Sequence, residues 1–303
     1  GFIDKQTIAA IWAKVLLETG EDYAKVAMLA KEAQGSGVLM TPEQWREGNG
    51  FSDINNPEWI WGGIREGAIQ SHFFRAHRKT IAGEYYVAAP RIDMRLFESI
   101  PTTDHRKVDY RQYSSNTAKN HLYNFKFSTL TDPSSNRSPR EDSSGENADH
   151  LYIRIAEMYL VEAEALARNG QDGLAAQVLY NLVSTRDTGY MLSSNTGETL
   201  LDEIYYHSQL ELWGEGQALF RTKRFRKPVI RNYPGVEQYI STWPYIDYFS
   251  PSGVLISGRD NARMNLDPDD NQLIFKIPTQ EIQENDAIGF DEQTPRWGTG
   301  PIE

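Results

Sequence analysis

Residues 151–170, LYIRIAEMYLVEAEALARNG, decide how the rest of the chain is read. From Leu151 to Arg168 almost every position is apolar or small, on all sides of a 3.6-residue period, as in a helix buried between neighbours. Asn169 and Gly170 supply the stop. Leu174, Ala175, Val178, Leu179 and Leu182 then mark the face of a returning helix, so 151–186 reads as a helical hairpin of the tetratricopeptide kind. A third helical stretch, about 199–222, carries Ile204, Tyr205, Leu210, Leu212, Trp213 and Phe220.

Working outward, a second hairpin lies at the start of the chain. Residues 3–18 place Ile8, Ile11, Trp12, Val15 and Leu16 at helical spacing, with Trp12 expected in the core. After a break at Gly20, residues 22–34 repeat the pattern with Tyr23, Val26, Ala27, Ala30 and Ala33. So short a connection forces antiparallel packing, and the alanines let the partner helix come close. The two hairpins are too far apart in sequence to be expected to form one continuous array. The stretch between them is an insertion, and long insertions on helical scaffolds are where binding surfaces are usually built.

The domain reading is a single unit over 1–303: a hairpin at 1–35, a loop-rich insertion at 36–150, a hairpin plus helix at 151–222 and an irregular segment at 223–303. Within the insertion, Trp45, Trp59, Trp61, Phe73, Phe74, Tyr85 and Tyr86 sit in loops and short strands, and Asp132–Asp149 is a polar loop. Trp213, on a helix, is expected to be core. In the last segment Trp243, Tyr245, Tyr248 and Phe249 lie in irregular sequence, and Leu273–Ile277 is a short strand running into Pro278.

Bulk properties narrow the function. A chain of 303 residues buries a substantial core. No run of about 18 apolar residues exists to span a bilayer. The formal net charge of -11 repels polyanions, and the only dense basic patch is Arg221–Lys227, so nucleic acid is not an expected partner. The absence of cysteine removes disulfides, thiolate metal sites and cysteine nucleophiles from what is shown. The chain opens on Gly1, Phe2, Ile3 and Asp4 without a signal sequence, which suggests a processed or truncated chain.

The unusual feature is aromatic content, 12% of the residues, much of it in Gly/Pro/Asn-rich stretches rather than periodic ones. Rings so placed either pack loops onto a domain or form a platform for flat, partly apolar ligands such as sugars. A pyranose offers an apolar C–H face to an aromatic ring, and its hydroxyls need planar donors and acceptors at the edge. Patterns that would carry catalysis are not met. Glycoside cleavage needs two carboxylates across a cleft, whereas Glu157, Glu162, Glu164, Glu211 and Glu215 lie on helices, where salt bridges are the ordinary role. His72 and His77 are five apart and lack the spacing of a metal pair. Asp267, Asp269, Asp270 and Asn271 start like a calcium loop, but Gln272 and Pro278 stand where it needs Gly and Glu, so a surface turn is expected. No metal and no cofactor are expected.

Several local patterns resemble the SusD/RagB family. Residues 154–165 resemble its most recognisable helix, R-x-A-E-x-Y-L-x-x-A-E-A; Glu211–Gly216 resembles its E-L-x-x-E-G helix; Ile277–Asn285 resembles its closing I-P-x-x-E-I-x-x-N. Asp93, Arg95, Asp104 and Arg106 are similar to its central segment of alternating charge. The order and spacing fit from residue 1 to about 290. One departure is that only Arg186 stands where the family usually has two arginines, and another is Gln217–Arg221 in place of R-x-x-D-L.

The resemblance implies a mainly all-α protein, SusD-like, with tetratricopeptide-like hairpins and long irregular loop insertions. It implies non-catalytic binding of an oligosaccharide or polysaccharide at the surface of the outer membrane, and delivery to a SusC-like TonB-dependent transporter. It implies a lipid anchor on a cysteine and two further hairpins ahead of Gly1, so the chain reads as a portion whose N-terminal part is missing. It also implies that Trp59 and Trp61, after Asn56, Pro57 and Glu58, lie on a structural strand and belong to the core, and that the loop after them contributes to the sugar platform. Phe74, Arg75, His77, Tyr85 and Tyr86 are the ligand candidates there, with Trp243 and Tyr245 as lesser ones. The alternatives are a tetratricopeptide-like protein-interaction scaffold and a binder of peptides or another nutrient.

Overall fold

The computed structural model describes residues 3–46, 50–51, 53–64, 92–112, 122–124, 126, 149–230 and 265–270. The chain divides into two compact units, Gly1–Ala218 and Leu219–Glu303. The described residues are mostly helical, and the short strands form three two-stranded pairs.

In the first unit the opening hairpin forms as its sequence dictates. Helix α1 (Lys5–Thr19) begins where the Asp4 carboxylate accepts from the Thr7 N–H at 2.7 Å, and ends at Gly20, whose φ of +72° suits the left-handed stop. Helix α2 (Tyr23–Gln34) begins under an equivalent cap, Asp22 accepting from the Lys25 N–H. The buried surface between them is small: Ala9, Ala10 and Ala13 on α1, with Ala27, Ala30 and Ala33 on α2. The bulky stripe of α1 faces outward instead. Ile8 and Val15 are more than half exposed and Trp12 is 45% exposed, with the Lys25 ammonium 3.9 Å from its ring centre. The expectation that Trp12 is core is therefore corrected. Alanine faces permit close backbone approach, and that approach took precedence over the larger side chains.

The two hairpins stack directly. Helix α5 (Ile155–Arg168) packs against α2 as well as against its own partner α6 (Asp172–Val183) and against α7 (Gly197–Glu211). Ala156 and Ala163 on α5 are fully buried, like Ala30 and Ala33 on α2. Gln34 donates to Glu162 at 2.5 Å, and Lys14 pairs with Glu157 at 2.7 Å. The hairpins thus form one layer, α1-α2-α5-α6, against the expectation that they would not. Distance along the chain did not matter because the intervening segment leaves and rejoins the scaffold.

That segment contributes α3 (Pro42–Arg46), β1 (Trp59–Gly63), α4 (Met94–Ser99), a 3-10 helix at His105–Asp109, β2 (Tyr110–Gln112) and β3 (Leu122–Asn124), the last two paired antiparallel. Strand β4 (His150–Arg154) pairs antiparallel with β1. Residues 151–154, expected to open the helix, are therefore strand; α5 begins only at Ile155, whose N–H donates to Glu58 O at 2.8 Å. Met40, Trp45, Phe51 and Leu151 form a buried cluster here, with Trp59 and Trp213 packed against it. The stretch expected as one helix over 199–222 is two, because Gly214 and Gly216 take φ of +77° and +84° between α7 and α8 (Ala218–Arg224).

The second unit, described by itself, pairs β5 (Val229–Ile230) with β6 (Asn265–Leu266). Asp267–Asp270 is the expected turn, closed by the Asp270 N–H on Asp267 O at 3.0 Å, with Arg226 paired to Asp269 at 2.6 Å. The strand expected at Leu273–Ile277, the closing motif Ile277–Asn285 and most of the polar run 132–149 lie outside the described residues. Among the described residues no helix is long and apolar enough to cross a membrane.

The inverted face of α1 has a direct test. Ala163→Leu, which overfills the α2–α5 contact, should lower stability by about 1–3 kcal/mol. Trp12→Ser should cost less than about 1 kcal/mol, as for a side chain already largely in water. Urea unfolding followed by far-UV dichroism measures both. A Trp12 loss as large as the Ala163 loss would mean that the stripe is buried.

Candidate functional site

All seven sequence-derived ligand candidates, Phe74, Arg75, His77, Tyr85, Tyr86, Trp243 and Tyr245, lie outside the described residues, as does His72. What the structure places is the frame from which the first five depart. The described chain stops after β1 at the exposed Ile64 and resumes at the buried Ile92; residues 65–91 lie outside the described residues.

That frame is fastened by a buried charge cluster. Arg154, at the junction of β4 and α5, donates to Glu58 at 2.6 Å and to Glu211 at 2.8 Å through Nη1. Its Nη2 donates to Glu215 at 2.8 Å and to Glu211 O at 2.6 Å. Arg186, beyond α6, donates to Glu58 at 3.0 Å and to Glu211 at 3.1 Å, and reaches Met40 O. Arg106 forks onto Asp104, with its Nη1 on Glu211 at 2.9 Å. The Lys126 ammonium donates to Glu215 at 2.6 Å and to the carbonyls of Glu211 and Trp213. Four cations (Arg106, Lys126, Arg154, Arg186) thus meet four carboxylates (Glu58, Asp104, Glu211, Glu215).

Aromatic rings cover one side of this cluster. The Arg186 guanidinium is 4.9 Å from the centre of Trp45, and the Lys126 ammonium is 4.9 Å from that of Phe51. Trp45 donates through its indole N–H to Asp109 at 2.8 Å. Rings in these positions exclude water and add cation–π attraction. Arginine is favoured here because its planar fork matches carboxylates bidentately.

The electrostatics follow from that packing. Burial alone would raise the Glu211 carboxyl, but Arg186, Arg154 and Arg106 outweigh it and hold the group well below the usual carboxylate range. Glu215 is likewise lowered, burial being outweighed by Arg154 and Lys126. Burial lowers the Lys126 ammonium, and Glu215 opposes that only in part. His207, on α7 between the rings of Tyr190 and Tyr206, is pushed down to about 3, by burial first and then by the Arg106 charge. Glu211 and Glu215 are thus held as anions, whereas a general acid needs a raised pKa. Of the remaining helical acids, Glu157 bonds across helices to Lys14, and Glu164 pairs with Arg168 on its own helix at 2.8 Å. Among the described residues, no group of three or more His, Asp and Glu side chains is placed to hold a metal ion.

The β1–β4 pair also bears side chains that sequence reasoning missed. Trp59 packs inward as expected, its indole N–H donating to Gly50 O at 2.8 Å. Trp61, expected in the core, is only half-buried and lies against the exposed Tyr152, beside His150. The signal was the alternation His150, Leu151, Tyr152, Ile153, hidden because it runs straight into a helix that is apolar all round.

Comparison with known proteins follows the same lines. A sequence model of the SusD family matches residues 85–297. A SusD-like carbohydrate binding protein from Bacteroides vulgatus superposes with a TM-score of 0.73 at 22% identity, over 99% of this chain and 62% of its own. A SusD superfamily protein from Bacteroides thetaiotaomicron gives 0.65 at 19% identity, over 98% of this chain and 61% of its own. Surface glycan-binding protein A from Bacteroides uniformis gives 0.56 at 14% identity, over 95% and 60%. At such identities the likeness is one of fold, and the chain spans about three fifths of the length of these structures. No curated protein matches the sequence.

Two outcomes are expected of the cluster. Arg186→Met strands Glu58 and Glu211 in a buried site and should cost about 3–5 kcal/mol, while Arg226→Ala, which breaks an exposed pair, should cost less than about 1 kcal/mol. Denaturant titration compares them, and equal losses would contradict the burial. For pH, the unfolded chain takes up a proton at residue 207 below its ordinary value of 6.5, and the native chain does so only near 3. Stability therefore falls as pH drops through that window, by up to about 1.4 kcal/mol per pH unit from this group. Below 4.5, Glu211 and Glu215 add losses of the same sign, because their native values are depressed. His207→Gln should flatten the fall between pH 7 and pH 5; an unchanged slope would rule out this origin.

Proposed function

The chain belongs to the SusD family, and on that premise we propose that it binds an oligosaccharide or polysaccharide at the cell surface without cleaving it and delivers it to a SusC-like TonB-dependent transporter in the outer membrane. The observation that carries the reading is the family match over residues 85–297, joined by fold likeness to proteins described as carbohydrate-binding and glycan-binding. The whole protein would be held at the outer membrane by a lipid anchor.

The chemistry of the described residues supports binding over turnover. Glu58, Glu211 and Glu215, the carboxylates nearest the frame, are engaged by two or more cations each. Sugar recognition instead needs rings on which a pyranose can stack and planar hydrogen-bonding groups at their edges. Phe74, Arg75, His77, Tyr85 and Tyr86, in the segment that leaves from the end of β1, and Trp243 and Tyr245 are the residue types that such a surface needs.

Affinity electrophoresis tests the reading, with the chain run through native gels that each contain one soluble polysaccharide and with reducing ends assayed alongside. The expected result is retardation in at least one gel with no new reducing ends. New reducing ends would replace the proposal with a hydrolase. Migration unchanged in every gel would point to a protein-interaction scaffold or to another nutrient such as a peptide. Tyr85→Ala and Tyr86→Ala should each weaken the retardation; unchanged affinity in both would remove that loop from the site.

A further inference from the structure

Strands β1 and β4 carry aromatic rings on both faces, and two adjacent glycines make room for them. A Cβ on Gly62 would lie 2.8 Å from Cε3 of Trp59, so glycine there lets the indole lie against the strand, toward the core. A Cβ on Gly63 would lie 2.9 Å from the Tyr152 hydroxyl oxygen and 3.4 Å from its ring, so glycine there lets the phenol lie against the strand on the other side. Successive strand residues point to opposite faces, which is why one pair of glycines serves both rings.

The outer rings form an ordered strip. Trp61 and Tyr152 have ring centres 4.9 Å apart at 55°, and Tyr152 and His150 lie in near-parallel planes with centres 6.4 Å apart. The register shifts on either side of Trp61, so that the irregularity re-aims its ring toward Tyr152. Tyr152 is 46% exposed and Ile64, at the end of the strip, is 65% exposed, whereas Leu151 and Ile153 between the outward residues are buried. The core therefore does not require the Tyr152 ring: Leu151 and Trp59 pack on it from the inner face.

We propose that Trp61, Tyr152 and His150 form a stacking platform for the apolar face of a pyranose ring of a neutral glycan. The proposal rests on the glycan-binding reading above and gives that reading a described site. The rings are held by one another and by the strand pair, so little freedom remains to be lost when a sugar stacks on them. The Tyr152 hydroxyl can donate to and accept from a sugar hydroxyl at the edge of the stack. Neutral sugars are favoured because the outward positions of β1 and β4 include no lysine or arginine and the whole chain carries a net charge of -11.

The test compares wild type, Tyr152→Ala, Tyr152→Phe, Trp61→Ala and Trp12→Ala by affinity electrophoresis. The gels contain soluble starch, xylan, galactomannan, mixed-linkage β-glucan or polygalacturonate, and far-UV dichroism checks each variant's fold. In a neutral gel that retards wild type, Tyr152→Ala and Trp61→Ala should raise the dissociation constant by about tenfold or more. Tyr152→Phe, which keeps the ring and loses only the hydroxyl, should lose less affinity than Tyr152→Ala, and Trp12→Ala, which removes an exposed ring elsewhere, should stay close to wild type. Wild-type affinity in Tyr152→Ala would overturn the platform and leave the glycan-binding reading standing, and this variant decides alone should Trp61→Ala fail to fold. Retardation of wild type by polygalacturonate only would overturn the preference for neutral sugars. No retardation of wild type in any gel would overturn the platform together with the reading on which it rests.

Discussion

Arg154 is the point through which the first unit is tied together. It stands where strand turns to helix, and its guanidinium reaches Glu58 ahead of β1, Glu211 at the end of α7 and Glu215 in the turn beyond it. Arg186 repeats two of those contacts from beyond α6, and Arg106 brings in the segment after α4. Hydrophobic packing alone is non-directional and would tolerate several arrangements of loops over a helical layer. A buried bidentate contact does not, because a misplaced loop leaves a charge without its partner at a cost of several kcal/mol. The cluster thus converts the choice of loop position into a choice between paired and unpaired charges.

Around that joint the molecule uses two kinds of packing. The helical layer is closed by alanines, which bring backbones together and leave few side chains to rearrange. The strand pair is closed by large rings, Trp45, Phe51 and Trp59, some of which cover the cations and keep water from weakening the ion pairs. The first arrangement makes a rigid support. The second makes a rim, with a dry inner face over the charges and an outer face that still presents Tyr152 to solvent. Rigid support with an aromatic rim is the division of labour expected of a protein that must hold a flexible ligand without reacting with it.

Much of this was legible in the sequence, and the failures have physical causes. Helix stops at Gly20 and Gly170 and the α5–α6 turn follow from local rules that depend on a few neighbouring residues. The orientation of α1 was misread because alanine gives little hydropathy signal, though its size is what permits the α1–α2 contact. The strand at 150–154 was misread because four alternating residues are too few to separate from the helix that follows. The continuity of the hairpins could not be read at all, since it depends on where the chain returns, and Glu58 and Lys126 enter the charge cluster from segments with no periodic pattern. The residues that the resemblance assigns to the ligand lie outside the described residues, whereas Tyr152 was within reach of the alternation rule once its strand was recognised.

The same cluster bears on chemistry as well as on form. A carboxylate becomes a useful general acid when burial raises its pKa and no cation answers it. Here burial is deep, but Arg154, Arg186, Arg106 and Lys126 answer it at Glu211 and Glu215, so both are pinned as anions. Of the carboxyls described with a shifted pKa, the one raised by burial is Glu162, which accepts from Gln34 inside the helical layer. Turning the cluster to acid–base work would mean removing a cation, and that removal would loosen the joint that positions β1, β4 and α7. Structural use and catalytic use of these residues therefore compete, and in this chain the structural use prevails. What the rim offers besides is aromatic surface, which is what the proposed stacking of a sugar needs.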